Sequence, residues 1–257
     1  MISILKKLFQ ISRQDVSSSG KTDTGRVRGH NEDNYCIMAE RLMFVVADGM
    51  GGHNAGEIAS QVAVEAFKEY CSKEVIRKIR GNREEIRHFL IKGFHHVNEV
   101  VMKMAQADTS RKGMGCTLVS CMIDDNSLHV CHVGDARCYV AGRENLEQLT
   151  TDHSVIVAYG KKISAGNTSE LTPPPRQVIT RAIGFPFPED PEYHYRTINP
   201  GNRILLCSDG LWSMINNQQI QKILNSAETP AQASETLVLK ANEAGGTDNI
   251  TAVVIFC

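Results

Sequence analysis

Four apolar runs in this chain meet an aspartate at the point where a core strand would otherwise continue. FVVADGMGGH stops at Asp48, LHVCHVGD ends on Asp135, RILLCSDG ends on Asp209, and Asp248 stands directly before the last run in GGTDNIT. One such aspartate is an ordinary turn residue by which a chain leaves a sheet. Four of them, three beside a glycine, constrain the fold more tightly. Strand ends that gather at one edge bring like charges together, and a desolvated carboxylate without a partner is costly. A divalent cation is the simplest compensation. Upstream, RGHNEDN adds Glu32 and Asp33 where a turn leads into YCIMA.

The donor set selects the ion. Carboxylate oxygens, waters and a backbone carbonyl, with no cysteine among them, favour magnesium or manganese over zinc. Gly49 lets the backbone fold tightly enough to offer its own carbonyl. Two such ions about 4 Å apart share a bridging water, lower its pKa and hold a phosphoryl oxygen during in-line attack. Sheets supply rigid backbone, and their ends aim the carboxylates into one cleft. The chemistry this points to is hydrolytic.

Composition narrows the partners. With 257 residues, 42% of them hydrophobic, the chain can bury a core as one large domain or two small ones. Its 28 basic and 29 acidic residues leave a formal net charge of -1, so no global field draws it to nucleic acid or anionic lipid. The eight cysteines are scattered, never form a C-x-x-C pair, and several sit in strand-like runs such as TLVSCMI. They read as small hydrophobes in a reducing cytoplasm, not as a zinc or disulfide framework. The opening MISILKKLFQIS is too short and too interrupted by lysine for a membrane span. It reads as an amphipathic helix packed on the domain, or as a weak membrane or partner contact, over an extension of residues 1–20. SSSGKTD reads as a loop.

Periodicity then orders the rest. Residues 42–47 read as a buried strand and 56–71 as a helix. Residues 84–105 keep a three-and-four spacing from Ile86 through Phe94 to Met104, which predicts a second helix antiparallel to the first. His95 and His96 in that helix point about 100° apart and cannot converge on one ion. CTLVSCMI, SLHVCHV, RCYVAG and LEQLT follow as an antiparallel meander. Residues 153–180 have turn chemistry and no sustained period, as a surface flap would. YHYRTI and RILLCSD add strands, and a helix over 230–244 opens on Thr229 as N-cap, Pro230 at its first position and Gln232 completing a capping box. The pattern predicts an α+β domain over 21–257, without the strict alternation of a doubly wound parallel sheet.

Eight motifs in order from residue 22 to 251, TDTGRVRGHNED, VVADGMGGHNAGEIAS, GCT, HVGDARCYV, TTDHS, ITRAIG, LLCSDGLW and GGTDNIT, resemble the metal-dependent protein serine/threonine phosphatases of the protein phosphatase 2C, or PPM, class. The DGMGGH form is similar to the bacterial branch. The resemblance implies two antiparallel sheets packed as a sandwich between antiparallel helix pairs. It also implies a centre of two manganese or magnesium ions, and attack of a metal-bridging water or hydroxide on the phosphorus of phosphoserine or phosphothreonine proteins. Position by position it makes Asp48 the carboxylate bridging both ions and Gly49 a carbonyl ligand. Asp209 and Asp248 would complete the first ion's shell, with Glu32 and Asp33 acting through water at the second. Asp135 would join Asp209 at a third, weaker ion, Arg28 would bind the phosphate, and His53 would be the general acid. Animal members carry their histidine at the position of Met50, and the alternative reading of His53 is a surface-loop histidine.

One departure stands out: Ser213 replaces the acidic residue of the DGxWD pattern. Asp152 in TTDHS reads as a helix cap or flap anchor, not as a ligand. A catalytically dead binding module would be expected to have lost ligands, and all the aspartates stand. A hydrolase of small phosphoesters would share the metal site but not a shallow cleft open to a protein loop. On this reading the partners are phosphoproteins and a cognate serine/threonine kinase, and the chain is a cytoplasmic monomer.

Overall fold

A computed structural model describes residues 11, 15–52, 55–158 and 178–257. The amphipathic opening, His53 and most of the 153–180 segment lie outside the described residues. In chain order the described elements are β1 (Ser17–Asp23), β2 (Asp33–Met38), β3 (Met43–Met50), α1 (Ala55–Tyr70), α2 (Lys73–Ile79), α3 (Arg83–Ala107), β4 (Gly115–Cys116), β5 (Leu118–Asp124), β6 (Ser127–Val133), β7 (Arg137–Ala141), β8 (Leu146–Gln148), β9 (Glu192–Thr197), β10 (Arg203–Cys207), α4 (Asp209–Trp212), α5 (Asn217–Ser226), α6 (Pro230–Glu243) and β11 (Ile250–Phe256).

The strands form two antiparallel sheets. One runs β1-β11-β10-β7-β8, the other β2-β3-β5-β6-β9 with the short β4 on the end of β3. Period-two alternation sorts their side chains between two cores. On β3, Phe44 and Val46 face the opposite sheet, while Met43 and Val45 face α1 and α3. On β11, Val253 and Ile255 point between the sheets, and Ala252 and Val254 point toward α5 and α6. The layers are therefore α-β-β-α, the architecture expected. The end of α1 meets the first half of α3, with Phe67 edge-on to Phe94 at 5.7 Å between centroids and Tyr70 stacked on Phe89 at 4.8 Å. Gly93 is the point of closest approach there, since a Cβ would lie 3.0 Å from the Tyr70 ring.

The structure corrects several local readings. SSSGKTD is strand β1, not a loop, so residues 17–20 belong to the sandwich. It is an edge strand, and its polar sequence is held by pairing with β11 and by Tyr35, whose hydroxyl donates to the Gly20 carbonyl at 3.0 Å. The expected meander breaks in the middle: β5 pairs with β6 and β7 with β8, but between Val133 and Arg137 the chain changes sheet. Three helices went unread: α2, the four-residue α4 and α5. The polar α5 buries Ile220 and Leu224 and carries a complete capping box between Asn216 and Gln219. At α6, Thr229 accepts from the Gln232 amide, but the Gln232 side chain accepts from Glu228, so the box is half formed. His95 and His96 stay apart, the first bonded to Asp190 at 2.9 Å and the second stacked on Tyr70.

Phe44 lies fully buried on the strand that carries Asp48. Phe44→Ala should lower unfolding stability by about 3 to 5 kcal/mol through lost transfer energy and a residual cavity. Chemical denaturation measures it, and a loss below about 1 kcal/mol would show that the interface between the sheets collapses to fill the gap.

Candidate metal centre

The alternation that buries Phe44 and Val46 between the sheets continues to Asp48, where the apolar side chain is replaced by a carboxylate. Asp33 stands directly opposite Asp48 in the β2–β3 register, so the two share a face. Asp209 and Asp248 come from the other sheet, one leaving β10 and the other entering β11. Asp135 lies in the crossing between the sheets. Arg28, Glu32, Asp48, Asp135, Asp209 and Asp248 line one cleft of about 350 Å³, with Gly49 and Ile179 also on its wall. Every metal-ligand position expected from the sequence except Asp33 is on that wall. Asp33 sits behind it, buried, accepting a hydrogen bond from Ser208 at 2.6 Å through Oδ2.

Local backbone holds this arrangement. The Gly49 amide donates to the Glu32 carbonyl at 3.1 Å, and a Cβ at Gly49 would lie 2.1 Å from the Gly56 carbonyl oxygen, so only glycine fits. Gly210 is pressed as closely, with the Asn249 carbonyl 2.0 Å from where its Cβ would be. Asp48 and Thr117 are doubly joined, the Thr117 amide donating to the Asp48 carbonyl at 2.8 Å and the Asp48 amide to the threonine hydroxyl at 3.2 Å. Asn249 is the hub: its side chain accepts from the Glu32 amide and donates to the carbonyls of Thr24 and His30, at 2.8, 2.9 and 2.8 Å. Trp212 donates from Nε1 to the Asp135 carbonyl at 3.0 Å.

Thr117, Ser208, Asn249 and Trp212 had no role assigned from the sequence. The signal was present: each lies in a motif and next to, or three residues after, a candidate ligand or the GC turn. Asp152 caps no described helix and instead grips Arg137 of β7 at 2.8 and 2.6 Å, while Arg137 lies 3.6 Å over the Trp212 ring. Ser213 is exposed at the end of α4, with its amide on the Asp209 carbonyl at 2.9 Å.

Burial and mutual repulsion dominate the electrostatics. Burial, then the charges of Asp33, Asp209 and Asp135, push the Asp48 carboxyl well above the usual range. Burial, then Asp209 and Asp152, raise Asp135 to about 7. Asp209 is raised by burial and by Asp248, Asp33 by burial, and Glu32 by burial against the opposing charge of Arg28. Among the described residues the one cation on the cleft wall is Arg28, half exposed at the mouth and bonded to Asp248 Oδ2 at 2.7 Å. One arginine does not balance this cluster. Asp33 Oδ1 is also buried with no hydrogen-bond partner, a costly state for a lone oxygen. An all-oxygen donor set, a charge deficit and an orphaned buried carboxylate oxygen fit hard divalent cations.

Comparison with known proteins agrees. The family model for protein phosphatase 2C matches residues 28–241. Protein phosphatase PhpP of Streptococcus pneumoniae is 36% identical over 243 residues, covering 91% of this chain and 94% of the relative. Serine/threonine phosphatase stp of Listeria monocytogenes is 32% identical over 238 residues, covering 91% and 93%. The catalytic domain of the serine threonine protein phosphatase PstP, solved in complex with two manganese ions, superposes with a TM-score of 0.79 at 30% identity, covering 94% of this chain and 97% of that one.

The raised carboxyl groups set a pH dependence. A carboxyl whose folded pKa lies above its unfolded value holds extra protons in the folded state, so the stability it adds is present in acid and is lost as pH rises toward about 7, the value for Asp135. Cations displace those protons. Manganese should therefore raise the melting temperature little near pH 5 and several-fold more near pH 7, with proton release on binding seen by calorimetry in two buffers. A metal-induced shift independent of pH over this window would show that the carboxylates are already ionised.

Proposed function

The chain belongs to the protein phosphatase 2C family and is a metal-dependent protein serine/threonine phosphatase, and on that premise we propose how its residues divide the work. The observation that carries the assignment is the convergence of Asp48, Asp135, Asp209 and Asp248 from two sheets and their crossing into one cleft with Arg28 at its mouth.

Asp48, the Gly49 carbonyl, Asp209 and Asp248 would hold two manganese or magnesium ions, with Asp48 shared between them. Glu32, and Asp33 through its unpartnered Oδ1, would act through water. Asp135 with Asp209 would hold a third, weaker ion. When bound, the ions supply a water of lowered pKa and positive charge against the phosphoryl oxygens. The chain's own residues do the rest. Arg28 offers Asp248 one nitrogen and, half exposed, turns its remaining N–H groups to an incoming phosphate. Substrates are phosphoserine and phosphothreonine in protein segments, for which a cleft rimmed by an exposed arginine is open enough. His53, outside the described residues, is the proposed proton donor to the leaving alkoxide. The 153–180 segment serves as a flap, an assignment supported by Ile179 on the cleft wall. The domain acts as a monomer against a cognate kinase in the cytoplasm. Among the described residues no helix is long and apolar enough to cross a membrane.

Hydrolysis of an activated aryl phosphate should require manganese and stop in EDTA. Asp209→Asn should lose nearly all turnover while keeping its circular dichroism; full activity of the metal-stripped protein would overturn the assignment.

Arg28 gives a finer test. A charge-assisted, bidentate contact to phosphate contributes roughly 1.5 to 3 kcal/mol. Arg28→Ala should then lower kcat/KM on a phosphothreonine peptide about 10- to 100-fold, and Arg28→Lys should recover only part of it, because the planar fork is lost. If ground and transition states are held alike, the loss falls mainly on KM. Unchanged kcat/KM in Arg28→Ala would make this arginine a solvated charge paired with Asp248.

A further inference from the structure

A second group of ligand-bearing side chains meets outside the carboxylate cleft. His132 on β6 stands directly opposite Glu192 on β9, and His194 lies two residues further along β9, opposite Val130. Alternation puts His132, Glu192 and His194 on one face, the face that Val130 and Leu128 present between the sheets. His153, from the segment after β8, stacks on His132 at 4.6 Å between centroids, and the His194 ring is 5.2 Å from that of His132. Glu192 Oε2 lies 3.8 Å from His132 Nε2, 3.6 Å from His153 Nε2 and 3.5 Å from His194 Nε2. One ligand atom each from His132, Glu192 and His194 lie within 4.8 Å of one another.

These separations are long for hydrogen bonds. The 3.5 Å between Glu192 and His194 approaches the spacing of metal ligands: atoms about 2.0 to 2.1 Å from a tetrahedral ion stand roughly 3.3 Å apart. The hydrogen-bond account is also incomplete. His132, fully buried, places Nε2 3.0 Å from the Thr151 carbonyl and leaves Nδ1 without a partner. His153 Nδ1 accepts from the Gly134 amide at 3.1 Å, so its neutral ring carries the proton on Nε2, again without a partner. His194 Nε2 has none either. Three orphaned ring nitrogens around one carboxylate are unusual, since buried polar atoms are almost always paired.

We propose that His132, Glu192 and His194 form a binding site for a transition-metal ion of the zinc class, with His153 as a positioning residue that holds the His132 ring by stacking on it. Two imidazoles and one carboxylate suit zinc, cobalt, nickel or copper, whereas the oxygen-only cleft suits manganese or magnesium, so the two sites select different ions. Access exists, because the side chains of Glu192 and His194 are 36% and 26% exposed. The positive charge facing the histidines is Arg181, and it is paired with Glu189. The Thr151 carbonyl, 3.0 Å from His132 Nε2, matches the usual support of a metal-bound imidazole from outside its ligand shell and leaves Nδ1 free to ligate.

The site adjoins the catalytic architecture. The His153 amide donates to the Gly134 carbonyl at 3.0 Å, one residue before Asp135, and the Thr180 amide donates to the His153 carbonyl at 2.7 Å, one residue after Ile179 of the cleft wall. An ion at His132 therefore fastens the root of the 153–180 segment to the strand end that carries Asp135.

Cobalt(II) reports on the site directly, because four-coordinate nitrogen and oxygen ligation gives an intense visible band and six-coordinate oxygen ligation a faint one. With the full chain in saturating manganese, one equivalent of cobalt should bind with the intense band, be displaced by zinc, and raise the melting temperature. The band should persist in Asp209→Asn, whose carboxylate cleft is disabled. It should vanish in His194→Ala and in Glu192→Gln, both partly exposed positions, and the cobalt Kd should rise about 10- to 100-fold in His153→Ala. Manganese-dependent hydrolysis by His194→Ala should match the parent. The proposal is overturned if cobalt and zinc bind only in proportion to the manganese they displace. It is equally overturned if the band survives in the well-folded Glu192→Gln and His194→Ala variants.

Discussion

The carboxylates of Asp33, Asp48, Asp135, Asp209 and Asp248 repel one another, and the molecule is built so that they cannot part. Asp33 and Asp48 are locked side by side by the register of two paired strands. Asp209 and Asp248 are fixed from the opposite sheet, where the Asn249 carbonyl is packed against Gly210. No single strand pair could impose this. The opposing sheets must be held together by the apolar layer of Phe44, Val46, Val253 and Ile255, so hydrophobic burial underwrites the electrostatic strain of the cleft. The same logic explains the glycines at its rim. They are where backbones come within contact distance, and a side chain there would push the carboxylates apart.

Two arginines show how differently the same side chain is used within a few ångströms of this centre. Arg137 is largely buried, gripped by both oxygens of Asp152 and layered on Trp212, while Trp212 holds the Asp135 carbonyl. It shapes the backbone around a ligand without entering the cleft. Arg28 is half exposed and has a single carboxylate partner. A guanidinium bonded through all three nitrogens, as Arg137 is to Asp152 and the Tyr139 hydroxyl, sets geometry; one with nitrogens to spare can meet a visitor.

Much of this was legible in the sequence, for identifiable reasons. The strand-terminal aspartates and the two long helices announce themselves through periodicity broken by a charge or kept for several turns, both local signals. What was missed depends on partners distant in the chain. SSSGKTD carries no alternation of its own and is a strand only because β11, more than two hundred residues away, lies beside it. The change of sheet after Val133 is invisible because sheet membership is not written in any short window. Ser208 and Asn249 are polar residues next to aspartates, and nothing local says which loops they will tie. The four residues around His132 are scattered over β6, β9 and the turn after β8, with no spacing that resembles a ligand motif.

The pairing of the first strand with the last has a consequence for synthesis. Thr22 and Thr251 touch through their hydroxyls at 2.7 Å, in a β1–β11 register that runs from Ser17 with Phe256 to Asp23 with Ile250. Asp248 and Asn249 immediately precede β11, so the hub that seats Glu32 and one side of the cleft exist only once the final strand has been made. A ribosome-bound nascent chain still missing that strand can pack its helices on the β2-β3-β5-β6 sheet, yet it has no place to assemble the centre. A chain cut short before β11 therefore has no means of erasing phosphoryl marks, however well its first sheet and the helices on it are packed.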